Sequence, residues 1–295
     1  DYVCSGENDQ LVLRTALNAL PSCGGKLLLL EGDYHLTGYG VSPLGSEYRL
    51  LAVNTANVSI EGQGSTTVLR LADDVGEEGL TYCLIGADAA GFRLSQLMID
   101  GNRDGNRAGA VEGLRLTWNA ERSGISGCQV VNCSGCAITS EAEQVGIHDN
   151  QIADCGDGLR LLGGVDLVYG NLIDGCANHG ISGQDGEHGI TDNRISNSGA
   201  IGIYVQGGSN HRVVDNFLCD QPIGINLYLA GYTRLSGNDV RRTWSGNTYS
   251  AGEYSLRLVS CQYCLVFANR MPGKALSQES CTSIATYFSG TDWNI

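Results

Sequence analysis

Residues 145–206 read VGIHDNQIADCGDGLRLLGGVDLVYGNLIDGCANHGISGQDGEHGITDNRISNSGAIGIYVQ, and two kinds of position recur along them and beyond. The first is an asparagine, found at Asn150, Asn171, Asn193, Asn216 and Asn238. The second is a glycine followed by an aliphatic residue, found at Gly158, Gly180, Gly202 and Gly224. Both series keep a period of about 22 residues. Two independent series with one period indicate a repeat protein in which each repeat is one structural turn.

The repeats continue towards the C-terminus with one interruption. Asn269 follows Asn238 by 31 residues, and Ser255-Leu256 follows Gly224-Ile225 by the same 31 residues. Both series therefore predict an insertion of about nine residues, which we place in TWSGNTYSAGE at 243–253.

Each repeat contains short segments such as GLRLL, which alternate with the period of a strand and are too short for helices. One such turn cannot bury its own apolar face, so it must stack on neighbours about 4.8 Å away. Equivalent residues then lie above one another, and asparagine side chains can hydrogen-bond from turn to turn. We predict an all-β fold, a single-stranded right-handed parallel β-helix, as one domain over residues 1–295. The helical turns are expected over 26–275 and a C-terminal cap or tail over 276–295.

The open end of a solenoid is a strand edge, which proteins commonly cover. Residues 7–20, ENDQLVLRTALNAL, predict an amphipathic capping helix at this end. Its apolar stripe comprises Leu11, Leu13, Ala16, Leu17 and Leu20.

The composition limits the possible partners. The net charge is −14 and the pI is near 4.6, with no run of basic residues, so we expect neither nucleic acid nor an anionic membrane as a partner. We also expect no membrane-spanning segment, because no stretch of 18 apolar residues is present. The 42 glycines fit many tight turns between short strands.

Four segments carry a resemblance to a known superfamily: Asp9-Gln10, CGGKLLLLEGDYHLTG at 23–38, VSIEGQGSTTVLRL at 58–71 and LMIDGNRDGN at 97–106. In these segments the chain resembles the pectate-lyase-like β-helices and phage tail-spike-like proteins. The resemblance implies a polysaccharide or oligosaccharide partner, an extracellular, virion-surface or cell-surface location, and a homotrimer if the chain is tail-spike-like. The superfamily includes lyases, hydrolases, epimerases and non-enzymatic proteins. No Gly-Asp-Asp or Asp-Pro-His signature of its pectinases or alginate epimerases occurs, so no catalytic residue is carried over.

The cysteines form a third recurring position. Cys133, Cys155 and Cys176 are about one period apart, and we predict an inward stack of thiols because free cysteine is among the most buried residues. Cys4 and Cys23 are the first candidates for a disulfide at the cap. The Cys-x-x-Cys pairs at 133–136 and 261–264 lack the spacing of a zinc ribbon, and we expect no zinc site.

One segment has a partial calcium-binding pattern. DGNRDGN at 100–106 matches the start of an EF-hand loop, but Val111 stands where the loop requires glutamate. The segment is either a polar turn or a partial Ca²⁺ site with Asp100, Asn102 and Asp104 as ligands.

Because strands alternate faces, the residue after each glycine-aliphatic pair is expected to point outward. This column reads Arg115, Thr139, Arg160, Ser182, Tyr204, Asn226 and Arg257, and the next reads Leu162, Gln184, Gln206 and Tyr228. Guanidinium, amide and aromatic groups suit sugar carboxylates and hydroxyls. The predicted substrate-binding residues are Arg160, Tyr204, Asn226, Tyr228 and Arg115, although a plain solvated sheet would also be polar.

The middle repeats add candidate acid–base groups. Asp157 and His179 each precede a repeat glycine, one turn apart, and the loop GQDGEHG adds Asp185 and His188. Removal of the proton beside a uronate carboxyl requires a base and a cationic stabiliser, whereas glycoside hydrolysis requires two carboxylates. We predict Asp157, His179, Asp185 and His188 as catalytic residues, with Tyr204 as an alternative base. The competing interpretation is that these groups only satisfy turns.

Two functions follow from this sequence. The first is an enzyme that acts on an extracellular, acidic polysaccharide as a lyase, hydrolase or epimerase. The second is a non-catalytic, glycan-binding or structural β-helix of a phage tail or a cell surface.

Overall fold

A computed structural model of the chain describes residues 2–38, 47–241, 253–271 and 276–287. It confirms the right-handed parallel β-helix. The chain divides into two compact units, residues 1–156 and 157–295. The single-domain organisation stays a prediction, and each unit is described by itself.

The first unit opens with one helix, α1 (Asp9–Asn18), which is shorter than the predicted 7–20. The strands that follow are β1 (Gly25–Leu28), β2 (Gly32–Leu36), β3 (Glu47–Val53), β4 (Val58–Glu61), β5 (Thr67–Leu71), β6 (Thr81–Ala87), β7 (Arg93–Ser95), β8 (Met98–Asp100), β9 (Ala110–Leu116), β10 (Gly124–Ser126), β11 (Gln129–Val131), β12 (Cys136–Ser140), β13 (Gly146–His148) and β14 (Gln151–Ala153).

The second unit has strands only among its described residues. They are β15 (Asp157–Leu162), β16 (Leu167–Tyr169), β17 (Leu172–Asp174), β18 (His179–Gln184), β19 (Gly189–Thr191), β20 (Arg194–Ser196), β21 (Ile201–Gln206), β22 (Arg212–Val214), β23 (Phe217–Cys219), β24 (Ile223–Tyr228), β25 (Arg234–Ser236), β26 (Asp239–Arg241), β27 (Tyr254–Val259), β28 (Leu265–Phe267), β29 (Leu276–Glu279) and β30 (Ala285–Tyr287).

In each unit the strands belong in rotation to three parallel sheets. In the first unit, β1, β4, β7, β10 and β13 form the first sheet, β2, β5, β8, β11 and β14 the second, and β3, β6, β9 and β12 the third. In the second unit, β16, β19, β22, β25, β28 and β30 form the first sheet, β17, β20, β23 and β26 the second, and β15, β18, β21, β24, β27 and β29 the third. Because every third strand returns to the same sheet, equivalent residues of successive turns lie side by side.

Helix α1 is attached to β2 by two polar residues that are fully buried. The Asp9 carboxylate accepts hydrogen bonds from the backbone of Ser5 and His35, and the Gln10 amide exchanges two hydrogen bonds with Thr37. These partners make the burial of polar groups tolerable. The predicted apolar stripe is corrected at Leu11, which is 37% exposed because Asp9 and Gln10 occupy the buried face at the start of the helix.

The repeat glycines are explained by close packing between sheets in the second unit. A Cβ atom on Gly180 would lie 2.5 Å from Ile195 Cγ2, and one on Gly202 would lie 2.5 Å from Leu218 Cδ2. Both distances are far shorter than a van der Waals contact. The third sheet therefore needs glycine where an aliphatic side chain of the second sheet packs against it.

The asparagine column forms a ladder in the second unit, as the sequence predicts. Each side-chain Nδ2 donates to the Oδ1 of the next asparagine at 2.9–3.0 Å, from Asn171 through Asn193, Asn216 and Asn238 to Asn269. The last step, from Asn238 to Asn269, spans 31 residues. The alignment of Ile225 with Leu256 has the same offset, which confirms the inserted segment, although 242–252 lie outside the described residues.

Cys133 and Cys155 of the first unit and Cys176 of the second unit are all buried, which confirms the predicted inward thiols. All twelve cysteines are free, Cys4 and Cys23 included. At the C-terminal end, β29 and β30 pair with β27 and β28, so the sheets extend past residue 275, and 288–295 lie outside the described residues. In the described ranges, no helix has the length and hydropathy that a membrane crossing requires.

Candidate functional site

Most members of the predicted outward columns lie on the third sheet of the second unit, whereas Arg115 and Thr139 lie on the third sheet of the first unit. The register aligns Arg160, Ser182, Tyr204, Asn226 and Arg257 on successive strands. It also aligns Leu162, Gln184, Gln206 and Tyr228. We call the surface formed by Asp157, Arg160, His179, Tyr204, Gln206, Asn226 and Tyr228 the histidine–tyrosine face.

Asp157 organises one end of this face. Its Oδ2 accepts an ion-paired hydrogen bond from Arg160 Nη2, and its Oδ1 accepts the backbone N–H of His179 at 3.1 Å. Asp157 itself is buried, whereas the Arg160 side chain is 35% exposed. The carboxylate thus holds a guanidinium that a ligand can still reach.

His179 and Tyr204 are neighbours on adjacent strands, with ring centroids 5.5 Å apart. Partial burial lowers the pKa of His179, although the Asp157 carboxylate acts in the opposite direction. Burial raises the pKa of Tyr204. At neutral pH the face therefore presents a neutral imidazole, which can accept a proton, beside a protonated phenol, which can donate one.

Amide and aromatic groups complete the face. The Tyr204 hydroxyl donates to Gln206 Oε1 at 2.9 Å. Asn226 is almost fully buried beside Tyr204, and Tyr228 is about one-third exposed at the far end. The face thus combines one ion pair with neutral hydrogen-bonding groups.

The remaining two predicted catalytic residues do not join these groups. Asp185 lies in the turn after β18, exposed and with a left-handed φ of 54°. His188 is corrected from the outward face to the interior: it is 1% exposed, and a Cβ on Gly183 would lie 2.7 Å from its ring. The period of the repeat did not show that this loop turns inward after Glu187.

His188 belongs to a buried polar group. Its ring stacks on that of His211 at 5.4 Å, and its Nδ1 lies 3.8 Å from the Asp166 carboxylate. His211 accepts the backbone N–H of His188 at Nδ1 and bonds to Gly207 O through Nε2, so it is a neutral ring. Burial, followed by the neighbouring His211, lowers the pKa of His188 to about 4.

Arg115 lies in the first unit, where it is held by glutamates that the sequence reasoning missed. Glu112 bonds to it twice, at 2.9 and 3.0 Å, and Glu141 bonds to it at 3.0 Å. Glu47 lies 3.7 Å away and is itself paired with Arg49. Burial alone would lower the pKa of Arg115, but the carboxylates of Glu112 and Glu47 outweigh it and raise the pKa. A signal was available, since EGLRL at 112–116 repeats DGLRL at 157–161.

The residues of the predicted calcium site have protein partners. The Asp100 carboxylate pairs with Arg70 at 2.6 Å and accepts the backbone N–H of Asn102. The Asn102 amide donates to Leu71 O and to Asp73. Asp104 lies in a shallow, open depression with Asp73 and Arg107. Calcium at this segment stays a prediction, with a polar turn as the simpler interpretation.

Solved structures with the same fold cover almost the whole chain. The A-module of a mannuronan C-5 epimerase from Azotobacter vinelandii matches with a TM-score of 0.65 at 15% identity, over 98% of each chain. An alginate lyase from Paenibacillus matches with a TM-score of 0.67 at 15% identity, over 92% of this chain and 97% of its own. The Dettilon tailspike protein matches with a TM-score of 0.61 at 16% identity, over 97% of this chain and 60% of its own. At these identities the likeness shows the fold alone.

Comparison of the sequence with known families gives one match. No curated protein matches the sequence. Residues 80–253, more than half of the chain, match a family whose description is "Periplasmic copper-binding protein (NosD)". The matched range begins just before β6 and ends just before β27, so it contains most of the turns described above. The chain belongs to this NosD family.

Proposed function

We propose that the chain is a carbohydrate-active β-helix that removes the C5 proton of a uronate residue in an extracellular or periplasmic acidic polysaccharide. The observation that carries this proposal is the histidine–tyrosine face, where a neutral imidazole and a protonated phenol lie 5.5 Å apart beside the Asp157–Arg160 pair. The epimerase and alginate lyase with this fold act on such polymers by their names, which supports the choice of substrate class.

The chemistry assigned to this face is a β-elimination. The His179 imidazole accepts the C5 proton, and the electron pair of the broken C–H bond forms the C4–C5 double bond. The C4–O bond to the leaving sugar breaks, and the Tyr204 hydroxyl rotates from Gln206 Oε1 and protonates that oxygen. The proton on His179 then passes through solvent to the tyrosinate, which restores both groups. General acid–base catalysis of this kind contributes about 10²- to 10⁴-fold in rate.

Arg160 and Asp157 are assigned binding and positioning roles. The exposed part of the Arg160 guanidinium can bind the uronate carboxylate, which acidifies the C5 proton and stabilises the charge that develops when it leaves. Asp157 holds Arg160 and fixes the backbone of His179. If a proton returns to C5 from the opposite side instead of the leaving group departing, the same proton removal gives an epimerase.

The family description mentions copper, and the described residues do not fit a copper site. In these ranges no group of three or more His, Cys, Asp and Glu side chains is arranged to hold a metal ion. Both ring nitrogens of His211, the partner of His188, are engaged in hydrogen bonds. The chemistry assigned to the histidine–tyrosine face uses its own side chains alone.

A non-catalytic, glycan-binding function is the second candidate. It is favoured by the hydrogen bond from Tyr204 to Gln206 and by the Asp157–Arg160 pair, which already engage the hydroxyl and the guanidinium that catalysis would use. A homotrimer remains a prediction for this alternative.

The test is incubation of the protein with polygalacturonate and with alginate. Three readouts cover the possible reactions: absorbance of unsaturated uronates, release of reducing ends, and deuterium incorporation at C5 in D₂O. We expect His179→Ala and Tyr204→Phe to lower turnover about 10²- to 10⁴-fold. His148→Ala and Tyr169→Phe are matched controls on the first sheet and are expected to keep full turnover.

Full activity in His179→Ala would show that the base is elsewhere. Binding of both polymers without any of the three reactions would favour the glycan-binding function instead.

A further inference from the structure

Two tyrosines of the second unit form an exposed stack away from the histidine–tyrosine face. The rings of Tyr232 and Tyr263 lie 4.9 Å apart at an interplanar angle of 14°, and the residues are 61% and 52% exposed. Tyr232 precedes β25 and Tyr263 precedes β28, and the equivalent residue before β22 is Asn210. The stack therefore ends at the turn that contains Asn210.

One ring face of this stack is open. Tyr263 covers one face of Tyr232, and the other face points towards the turn of Asn210. The Asn210 side chain bends away from Tyr232, because its Nδ2 donates to Glu187 Oε1 of the preceding turn at 2.8 Å. The Tyr232 ring thus has an aromatic partner on one side and a short, diverted amide on the other.

Two arginines lie next to this open ring face. Arg212 and Arg234 follow Asn210 and Tyr232 by two residues, on the same outward side of the first sheet, and they are direct strand partners. Arg234 Nε donates to Ser236 Oγ at 3.1 Å, and its guanidinium lies 4.9 Å from the centre of the Phe267 ring. Among the described residues, the Arg212 guanidinium has neither an ion pair nor a side-chain hydrogen bond.

Neither the pair of adjacent arginines nor the pair of exposed tyrosines is explained by the stability of the fold. Like charges directly opposite each other on adjacent strands destabilise a sheet. Tyr232 and Tyr263 have left-handed φ values of 48° and 53°, a region that bulky residues disfavour and that Asn210 occupies more readily at 60°. Their rings also remain in water, so they gain little from burial. Such costs at exposed positions point to a ligand.

We propose that Tyr232, Tyr263, Arg212 and Arg234 form a second carbohydrate-binding surface, the tyrosine–arginine surface, which takes an acidic sugar residue. The apolar side of the sugar ring lies on the open face of Tyr232, and its carboxylate is bound by the two guanidinium groups. Adjacent turns are about 4.8 Å apart, so a carboxylate between Arg212 and Arg234 can contact both. The ligand class rests on the proposed function, but none of these residues belongs to the histidine–tyrosine face.

The size of the surface favours a sugar over a protein partner. A specific protein interface buries about 800 Å² on each side and involves about 20–30 residues. Here four large side chains lie on three adjacent turns, an area that matches one or two sugar rings. A surface of this size on another sheet gives a long polymer a second point of attachment.

The experiment measures binding of hexasaccharides from polygalacturonate and alginate to the full chain by isothermal titration calorimetry. All variants carry His179→Ala, so that the ligand is not consumed. We expect Arg212→Gln with Arg234→Gln to weaken binding at least about tenfold, since contacts to charged groups are lost. Tyr232→Asn, which suits the left-handed turn, is expected to weaken it as well. Arg194→Gln, an exposed arginine over Phe217 on the second sheet, is the matched control and is expected to change nothing.

Three results would overturn the inference: no binding of either acidic hexasaccharide, equal affinity in the double arginine variant, or equal affinity of the parent for cellohexaose, which has no carboxylates. Turnover by the protein without His179→Ala is recorded separately. Arginine-dependent binding without turnover supports the second surface and contradicts the proposed catalysis. Turnover together with unchanged binding in the arginine variant supports the proposed catalysis and contradicts the second surface.

Discussion

Glu112-Gly-Leu-Arg115 in the first unit and Asp157-Gly-Leu-Arg160 in the second unit place the same carboxylate–guanidinium pair on an outward face of the third sheet. In the first unit the pair is closed, because Glu141 takes a further donor of Arg115 and the Glu112 side chain is only 6% exposed. In the second unit the pair is open, with Arg160 partly in solvent and His179 on the adjoining strand. The comparison shows that neighbouring strands decide whether a repeated motif is a structural ion pair or part of a reactive face.

The largest expected difference between the two pairs is in stability. Glu112→Gln removes a buried carboxylate and leaves the partly exposed Arg115 guanidinium with weaker partners, and we expect a loss of about 3 kcal/mol in the free energy of unfolding. Asp157→Asn affects a more exposed pair, for which about 1 kcal/mol or less is expected. Urea unfolding monitored by circular dichroism compares the two variants. Equal losses would mean that the pairs are not in different environments.

A second difference is expected in the pH dependence of stability, because the second unit contains the buried His188. The pKa of His188 is about 4 in the folded chain and near 6.5 when unfolded, so folding favours its neutral form. The contribution is fully present above pH 6.5 and is lost as the pH falls through 6.5 towards 4, by about 3 kcal/mol in total.

Unfolding free energies between pH 7 and pH 4 test this expectation. His188→Gln should have a flatter dependence than the parent. His148→Gln, at a partly exposed position in the first unit, should follow the parent. A parent-like slope in His188→Gln would place the acid sensitivity elsewhere.

The two pairs are also expected to differ in activity. Asp157→Asn removes the charge that positions Arg160 and the backbone of His179, and a misplacement of this kind costs about 10²-fold in turnover. Glu112→Gln should keep turnover near that of the parent at temperatures where it is folded. Polygalacturonate and alginate assays with both variants decide this, and a larger loss in Glu112→Gln would reverse the assignment of the two pairs.

The smallest expected effect concerns the interior columns of the two units. In the first unit Asn150 accepts only a backbone N–H from Cys128, which has no amide side chain, whereas in the second unit Asn216 accepts both the backbone N–H and the side-chain amide of Asn193. Asn193→Asp removes the two donor hydrogens of one rung, and we expect a loss of about 2 kcal/mol at pH 8. The loss should be smaller at pH 4, where a protonated carboxyl can donate. Asn178→Asp, at an exposed position of the second unit, is the control, and an unchanged melting temperature in Asn193→Asp would contradict the role of the ladder.

The fold was predictable because the same packing and hydrogen-bonding requirements recur in every turn and select the same residue type at each period. Glycine is required where Ile195 or Leu218 packs, and asparagine is required where side chains bond between turns, so both recur with the period. The outward columns that contain Arg160, Tyr204 and Tyr228 follow from strand alternation alone. These residues needed no information beyond the spacing.

The rest of the site depends on loop directions and on contacts between residues far apart in sequence, which the 22-residue period does not predict. His188 turns inward because the loop after Gln184 returns to the core, and loop direction is not set by the repeat. Glu47 joins Arg115 across strands that are far apart in sequence and separated by unequal intervals. Tyr232 and Tyr263 lie in left-handed turns, where their exposure depends on a backbone conformation that the sequence pattern does not predict for tyrosine.

The asparagine ladder also has a mechanical consequence. Because successive turns of the second unit are joined by parallel strand pairing and by one asparagine rung, a force that pulls on its C-terminus detaches one turn at a time. The chain should therefore yield in discrete steps, each releasing one turn of about 22 residues, or roughly 75 Å of extended backbone. Replacement of a single asparagine by alanine would lower the rupture force of one step and leave the others unchanged. Along its axis the second unit therefore resists force turn by turn, and the contacts of each turn set the force at which that turn detaches.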